Sequence, residues 1–352
     1  MAEGYIDIKH SIEKKERKNF IIMIVLFVLL VFVILFSISL GRAKLDILTV
    51  AKIVIGKLIG SNSFLKGVEE YSSAIVWDIR VPRVLVGALV GAGLAVAGTI
   101  FQSILRNPLA DPYTVGVSTG AAFGAVIAIF LNLFIVAVPI PIMPCAFLGA
   151  IITLFVVIRI ASKDGYIVSS NLVLAGIIVS SILSSGISLL KSLSGEEVSA
   201  IVFWLMGSLS SRTWTHLMIS FPIILICIIL SNYYADDLDI MTLGEKEARS
   251  LGVDSKRITK IYLVLASLIT AVCVSVSGII GFVGLIVPHI LRFSVSTKNS
   301  VIIPLSSVCG ALLLVLSDNL SRLLLNVEIP VGVITTLLGG PFFIYIFMKK
   351  RK

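Results

Sequence analysis

The sequence predicts an all-α membrane protein with about ten transmembrane helices. Of its 352 residues, 57% are hydrophobic and only 14% are charged, and the mean hydropathy is +1.07. Soluble domains carry about 25% charged residues and cannot bury this much apolar surface. The charged residues cluster at the termini and in one central loop, separated by long uncharged runs. This pattern excludes a soluble fold. It also indicates that the net charge of +9 reflects membrane topology rather than nucleic-acid binding.

The predicted helices follow from the lengths of the uncharged runs. A helix needs about 20 apolar residues to cross a hydrocarbon core about 30 Å thick. Single runs of that size cover 20–40, 84–105, 165–190, 213–235, 299–317 and 329–348. The longer runs 112–158 and 261–291 are interrupted by prolines and glycines, and each predicts two helices. The segment 198–211 is too short to cross and predicts a partial helix.

The distribution of Lys and Arg predicts the orientation. An even number of spans places both termini on one side, and short cytoplasmic loops are enriched in Lys and Arg. With a cytoplasmic amino terminus, 19 of the 29 Lys and Arg residues lie inside. The sequence therefore predicts an N-in, C-in, multi-pass protein of the cell (inner) membrane. Its first apolar run exceeds the core of about 7–15 residues in a signal peptide, so this run predicts a retained helix.

The resulting organisation has three parts. Residues 1–19 form a cytoplasmic tail, residues 20–348 form the transmembrane domain, and residues 349–352 form a second cytoplasmic tail. The largest predicted cytoplasmic loop covers 236–260.

No pattern in the sequence supports catalysis by this chain. Gly116-Val-Ser-Thr-Gly120 matches the GxSxG pattern of hydrolases, but that motif requires a preceding strand and partner His and Asp residues. Here it lies between a proline-rich turn and a predicted membrane helix. The sequence has no GxxxxGK[ST] phosphate loop, so any ATP hydrolysis requires a partner. The four cysteines lie singly in apolar runs, which predicts neither a metal site nor a cofactor.

The central loop predicts a short amphipathic helix over 242–252. Thr242-Leu-Gly-Glu245 has the spacing of a capping box, and Gly252 is suited to end a helix. Gly244, Ala248 and Leu251 share one predicted face. Such a helix either lies on the membrane or inserts into a groove of a soluble partner, and its pattern favours neither.

Three arginines fall on the predicted outer side, against the general charge bias: Arg80, Arg83 and Arg322. One interpretation is that their side chains extend into lipid headgroups. The other is that they form a rim that receives carboxylates of an external partner, since a guanidinium pairs with a carboxylate through two hydrogen bonds.

A set of segments, taken in order, resembles one family. They are Arg80-Val-Pro-Arg83, Arg106-Asn-Pro-Leu-Ala-Asp-Pro112, Gly116-Val-Ser-Thr-Gly120, Leu174-Ala-Gly176, Phe203-Trp-Leu-Met-Gly-Ser208, Gly281-Phe-Val-Gly-Leu-Ile-Val-Pro-His289 and Pro330-Val-Gly-Val. Over about 75–348 the chain is similar to the FecCD-type permeases of ABC importers, which include cobalamin, ferric-siderophore and haem permeases. The resemblance implies a ten-helix permease that dimerises around a central pathway. It also implies a cytoplasmic ATPase dimer that binds ATP and Mg, and an external substrate-binding protein.

The resemblance further implies three sets of functional residues. They are Arg80, Arg83 and Arg322 for docking of the binding protein, Glu247, Ala248 and Gly252 for ATPase coupling, and Ser169 and Ser170 for a cytoplasmic gate. The expected function is uptake of an iron chelate, such as a ferric siderophore or haem, by alternating access. Cobalamin is the alternative cargo. A homodimer is expected, and a related second permease chain is the alternative. An ion-coupled secondary transporter is disfavoured, because it needs acidic residues in the middle of a span and the predicted spans have none there.

Overall fold

The structure is a computed structural model that describes residues 2–349 except 42, 44, 62, 63, 65, 66, 136, 137, 164, 165 and 326. In this part of the chain the helices are α1 (Ala2–Ser39), α2 (Ile47–Ile59), α3 (Glu70–Ala74), α4 (Val81–Ile104), α5 (Val117–Phe134), α6 (Ile142–Ala161), α7 (Ser169–Leu193), α8 (Val198–Leu205), α9 (Trp214–Tyr233), α10 (Ala235–Leu243), α11 (Glu245–Ser250), α12 (Ser255–Ser277), α13 (Val283–Ser294), α14 (Asn299–Leu323) and α15 (Val331–Lys349). The two-residue strands β1 (Ser162–Lys163) and β2 (Tyr166–Ile167) pair antiparallel between α6 and α7. The predicted all-α class is confirmed.

Eight helical segments within the described residues are long and apolar enough to cross a membrane. They are Glu13–Ser39, Glu70–Ile104, Val117–Phe134, Ile142–Ala161, Ser169–Leu193, Trp214–Tyr233, Ser255–Ser277 and Asn299–Leu323. Two shorter apolar helical segments, Val283–Ser294 and Val331–Ile344, stand at positions where the sequence predicts further spans. The count of ten spans and the N-in, C-in orientation stay predictions. The partial helix expected at 198–211 corresponds to α8.

Small residues bring the central helices together. Helix α4 is buried along almost its whole length, and a Cβ on Gly91 would overlap the carbonyl of Gly310 in α14. Helix α5 meets α6 in the same way, where Gly120 and Gly124 lie against the backbone around Gly149. Such contacts suit a lipid environment, in which helices associate by close packing rather than by the hydrophobic effect. The glycines on these helix faces therefore allow the backbones to approach closely.

Two helices extend through charges that were expected to end them. The helix predicted to begin at 84 is preceded by α3 and by a π-helical turn, Ile75–Arg80, that leads directly into α4. The helix predicted to end at 317 continues to Leu323. The predicted boundaries are wrong because the buried charged residues in these turns have partners inside the bundle. Arg83 and Arg322 pair with Asp318, and Arg80 donates to backbone carbonyls.

Helix α2 was not predicted. It has 13 residues, includes Lys52 and Lys57, and is therefore too short and too charged to give a span signal. Its buried residues Val50 and Ile53 belong to one apolar cluster with residues of α1, α4 and α14. It ends at Gly60, which has the left-handed backbone (φ 69°) that favours glycine.

Candidate functional site

The predicted docking arginines lie together at the end of the bundle where α1 ends, α4 begins and α14 ends. The Arg83 guanidinium pairs with Asp318 at 2.9 Å and with Glu328 at 3.2 Å. The Arg322 guanidinium pairs with the second oxygen of Asp318 at 3.1 Å. Asp318, only 2% exposed, thus bridges the two arginines and satisfies both of its carboxylate oxygens. We call Arg83, Asp318, Arg322 and Glu328 the outer ion cluster.

Arg80 has a different set of partners. Its guanidinium donates hydrogen bonds to the carbonyls of Ile38, Ser39 and Ala43, at 3.2, 3.0 and 2.5 Å. These carbonyls belong to the last turn of α1 and the residues after it, where a helix leaves backbone acceptors without intrahelical partners. A Cβ on Gly41 would lie 2.8 Å from the guanidinium, so glycine at this position leaves room for Arg80. Arg80 therefore fastens the end of α1 to the start of α4.

The three arginines are buried in this chain, with exposed fractions of 5% for Arg80 and 7% for Arg83 and Arg322. They do not extend into headgroups, and they do not form an exposed rim. Their docking role stays a prediction, and in this arrangement a partner carboxylate would have to compete with an internal one. Glu328 is the accessible competitor, because its side chain is 37% exposed. This internal pairing was not predicted from the sequence, because Asp318 and Glu328 follow Arg83 by more than two hundred residues.

At the opposite end of the bundle, the predicted coupling helix is divided in two. Thr242 lies in the last turn of α10, where its hydroxyl donates to the carbonyl of Asp239 at 2.7 Å. Gly244 (φ 141°) separates α10 from α11. A Cβ on Gly244 would overlap the carboxylate of Glu247, so that side chain folds back over the break. The predicted start of the helix at Thr242 is therefore wrong, because the glycine within the expected capping box interrupts it.

The predicted end of the coupling helix is confirmed. Gly252 is left-handed (φ 84°). The Val253 N–H donates to the carbonyl of Ala248 at 2.9 Å, and the Gly252 N–H donates to the carbonyl of Arg249 at 3.0 Å. These two bonds form a Schellman motif, the common ending of a helix at glycine.

The side chains of this segment point in different directions. Ala248 is fully buried against the bundle, whereas Glu247 is exposed. Leu251, expected to share a face with Ala248, is 59% exposed. The predicted common face is therefore wrong, because the helix is too short to carry it past Ser250. ATPase coupling by Glu247, Ala248 and Gly252 stays a prediction.

A polar network connects this segment to the bundle. Asp239 in α10 accepts hydrogen bonds at 2.7 Å from both the backbone N–H and the side-chain amide of Asn299, the first residue of α14. The Asn299 carbonyl oxygen accepts from Arg292 at 2.9 Å and from Ser103 at 2.7 Å. Arg292 also donates to the Ser103 hydroxyl at 2.6 Å. Burial raises the pKa of Asp239 above its ordinary value, and the hydrogen bonds from Asn299 oppose that shift.

These four residues, which we call the inner polar network, join α4, α10, α13 and α14. Sequence reasoning missed them. The available signal was the position of Asn299 at the start of an otherwise apolar helix, and this signal does not identify a partner.

Ser169 and Ser170 are the first two residues of α7, which begins within the uncharged run 165–190. Both line a cavity of about 790 Å³ between the end of α4, the start of α7, the α10–α11 segment and the start of α12. Lys246 and Arg249 of α11 also line it. The structure therefore places the predicted gate next to the predicted coupling helix. The gating role itself stays a prediction.

Known permeases are similar to this chain over most of its length. Residues 29–349 match the FecCD transport family. The chain is 38% identical to the cobalamin import system permease protein BtuC of Halobacterium salinarum, over 81% of this chain and 76% of that protein. It is 33% identical to the Fe(3+)-citrate import system permease protein YfmE of Bacillus subtilis, over 95% and 96%. A solved inward-facing structure of a metal-chelate type ABC transporter superposes with a TM-score of 0.80 at 32% identity, covering 93% of this chain and 99% of that one.

Proposed function

The chain belongs to the FecCD transport family and is a multi-pass membrane permease of the ABC importer type, and we propose that its cargo is an iron chelate such as a ferric siderophore or haem. The observation that carries this proposal is the superposition on a metal-chelate type transporter over almost the whole chain. The similarity to a ferric-citrate permease over 95% of the chain supports iron. The identity to a cobalamin permease makes cobalamin the second candidate.

In the proposed mechanism the chain forms no chemical bond with its cargo. Two copies of the chain surround the pathway, an external binding protein delivers the chelate, and a cytoplasmic ATPase dimer binds ATP and Mg. Each partner has different contact free energies with the inward- and outward-facing states, and it shifts the equilibrium by that difference. ATP binding draws the two ATPase subunits together and moves the α11 segment that each one holds.

Two features support α11 as the element that the ATPase moves. The first is its exposed outer surface, with Glu247 and Leu251 available to a partner while Ala248 anchors the segment to the bundle. The second is the inner polar network, which connects the neighbouring α10 to α14 through Asp239 and Asn299. Since α14 is packed closely on α4, we expect a displacement of α10 to be passed to the central helices.

The remaining predicted residues have roles at the two ends of the pathway. We propose that Ser169 and Ser170, at the start of α7, narrow the cytoplasmic exit in the outward-facing state. We propose that the outer ion cluster receives carboxylates of the binding protein by exchange with Glu328. The buried pairing of Arg83 with Asp318 then holds the guanidinium in place while the exposed partner is exchanged.

The proposal is tested by uptake into proteoliposomes that contain this chain, its ATPase and its binding protein. Radiolabelled ferric siderophore, haem and cobalamin are compared with and without internal ATP. ATP-dependent accumulation of a ferric siderophore or haem is the expected result. Accumulation of cobalamin alone would replace the iron assignment with the second candidate, and failure of any ATPase to associate would overturn the proposed mechanism.

A further inference from the structure

The cavity beside α11 has the size of a ligand site. Its volume of about 790 Å³ falls within the range of roughly 300–1,000 Å³ found for small-molecule pockets. It opens at the end of the bundle that holds the amino-terminal ends of α7 and α12. Neither the outer ion cluster nor the inner polar network contributes a side chain to it.

The lining of this cavity is strongly cationic. Four positively charged side chains contribute to it, and among the described lining residues there is no Asp or Glu. The cations are Arg106, Lys246, Arg249 and Lys256, and four hydroxyl side chains accompany them, Ser169, Ser170, Ser255 and Thr259. Arg106 is held in place by a hydrogen bond of 2.8 Å to the carbonyl of Met241. A cavity lined by several cationic side chains and no acidic one attracts anions.

Ser255 gives an independent indication of a ligand. It is only 6% exposed, it lines the cavity, and its hydroxyl oxygen is enclosed without a hydrogen-bond partner among the described residues. A buried hydroxyl without a partner costs about 1–3 kcal/mol, so native proteins rarely leave one unsatisfied. An oxyanion in the cavity supplies the missing acceptor.

The helix ends at the cavity favour the same sign of charge. Helix α12 begins at Ser255 and α7 begins at Ser169, so the amino-terminal ends of two long helices border one cavity. The Asp254 carboxylate already accepts hydrogen bonds from the Lys256 and Arg257 N–H groups of α12, so α7 is the end that has no side-chain cap. The residue before α7 is Val168, whose side chain cannot cap the first N–H groups of that helix. An anion with several oxygen atoms is able to accept hydrogen bonds from the first N–H groups of α7 and from the Ser255 hydroxyl of α12.

From these observations we propose that the cavity is a binding site for a phosphate-type oxyanion, either free in the cytoplasm or carried on the headgroup of an anionic lipid. Such an anion bridges α7, α11 and α12, and it stabilises the arrangement of the coupling segment seen here. The proposal does not rest on the cargo or on the ATPase, because binding is measured on the full-length chain alone.

The first experiment measures the melting temperature of the full chain in neutral detergent at constant ionic strength, as inorganic phosphate replaces chloride. We expect a saturable upward shift. Ser255→Ala should weaken apparent phosphate binding by roughly tenfold, because it removes one hydrogen bond to a charged group. Without phosphate, this variant should be as stable as the wild type, because the removed hydroxyl has no protein partner. If Ser255 had only a structural role, Ser255→Ala would lower the stability without phosphate and leave phosphate binding unchanged.

The matched charge variants are Lys246→Gln with Lys256→Gln, compared with Lys260→Gln. Lys260 lies one turn along α12, is exposed and does not line the cavity. The double variant should abolish the phosphate shift, and Lys260→Gln should retain it. An equal shift in all variants would mean that phosphate acts non-specifically and would overturn the proposal.

A second arm identifies the source of the anion. The chain is reconstituted in phosphatidylcholine vesicles with and without phosphatidylglycerol, and its melting temperature is compared between the two. A shift with phosphatidylglycerol that depends on Ser255 assigns the site to lipid headgroups, whereas a shift with inorganic phosphate alone assigns it to a free anion. The absence of any shift in both arms overturns the site.

Discussion

Asp239 and Asn299 link the coupling segment to the helix bundle through two hydrogen bonds of 2.7 Å that end on the same carboxylate oxygen. One bond comes from the backbone of α14 and the other from its first side chain, so α10 cannot move relative to α14 without losing both. Asn299 is fully buried and also accepts hydrogen bonds from Arg292 and Ser103. Its amide therefore holds an anionic and a cationic side chain together.

Replacement of this amide should uncouple transport from ATP hydrolysis. Asn299→Ala removes the side-chain bond to Asp239 and the oxygen that Arg292 and Ser103 share, although both still donate to the Thr99 carbonyl. We expect a loss of stability of about 1–3 kcal/mol, because buried hydrogen bonds to charged groups are lost. We also expect fewer cargo molecules transported per ATP hydrolysed. The measurements are the melting temperature and the transport-to-hydrolysis ratio in proteoliposomes.

Tyr262→Phe is the control for this variant. The Tyr262 hydroxyl is buried and donates to the carbonyl of Ser231 at 2.7 Å, so its removal also destabilises the bundle. This hydrogen bond joins α12 to α9 and involves none of the four residues of the inner polar network. The control should lower the melting temperature but leave the transport-to-hydrolysis ratio unchanged. If both variants reduce the ratio equally, the inner polar network has no specific part in coupling.

The two ends of the molecule show what the sequence could predict. Gly252 was assigned correctly from sequence because a Schellman ending is a local event within six residues. The uncharged run 165–190 likewise located α7, although the helix begins at Ser169. Asp239 and Asn299 are 60 residues apart, and Arg83 and Glu328 are 245 apart. No periodicity in the sequence encodes such pairs, because they depend on how the helices pack.

The hydropathy pattern failed for a related reason. It treats each charged residue as if water were its only partner. The pattern therefore began one helix too late, after Arg83, and ended another too early, before Asp318. A paired charge inside a bundle does not break a helix. The short α2 escaped detection because its 13 residues are stabilised by packing on neighbouring helices rather than by length.

Asp318→Asn should severely destabilise the bundle. The substitution removes the only anion that contacts both Arg83 and Arg322 among the described residues, and it leaves two buried guanidinium groups close together. Breaking a buried ion pair in this way costs about 3–5 kcal/mol. The check is the melting temperature of the purified chain. A variant as stable as the wild type would show that the outer ion cluster contributes little to the fold.

Glu328→Gln should behave differently, because its side chain is partly exposed and solvent screens its attraction to Arg83. The loss of stability should be at most about 1 kcal/mol. If carboxylates of the binding protein exchange with Glu328, the variant should bind that protein more tightly. Affinity is measured on the permease–ATPase complex in nanodiscs. Unchanged or weaker affinity would contradict the exchange of carboxylates at Arg83.

The buried carboxyl of Asp111 should make the stability of the folded chain depend on pH. Burial raises the pKa of its carboxyl to about 6, from 3.8, although the hydrogen bond from the Tyr113 N–H opposes the shift. Because the folded state binds the proton of this carboxyl more tightly than the unfolded state, protonation stabilises the fold. This stabilisation is fully present below pH 3.8 and is lost as the pH rises to about 6. Asp111→Asn keeps the acceptor for Tyr113 but cannot ionise. The melting temperature of the wild type should therefore fall relative to this variant between about pH 4 and pH 6, and parallel curves would contradict the prediction.

Gly252 provides the sharpest test of the coupling assignment. A Cβ at this position meets no atom within 4 Å, so a larger residue is opposed only by the left-handed backbone (φ 84°). A β-branched residue there costs about 1–2 kcal/mol, which suffices to melt the end of the short α11. Gly252→Val should therefore reduce transport per ATP, whereas Gly252→Asn, which tolerates this backbone, should retain it.

Gly60 is the matched control, because it is also left-handed (φ 69°), equally unobstructed, and ends α2. Gly60→Val should cause the same local strain without changing the transport-to-hydrolysis ratio, and equal uncoupling by both valine variants would refute a specific role of α11.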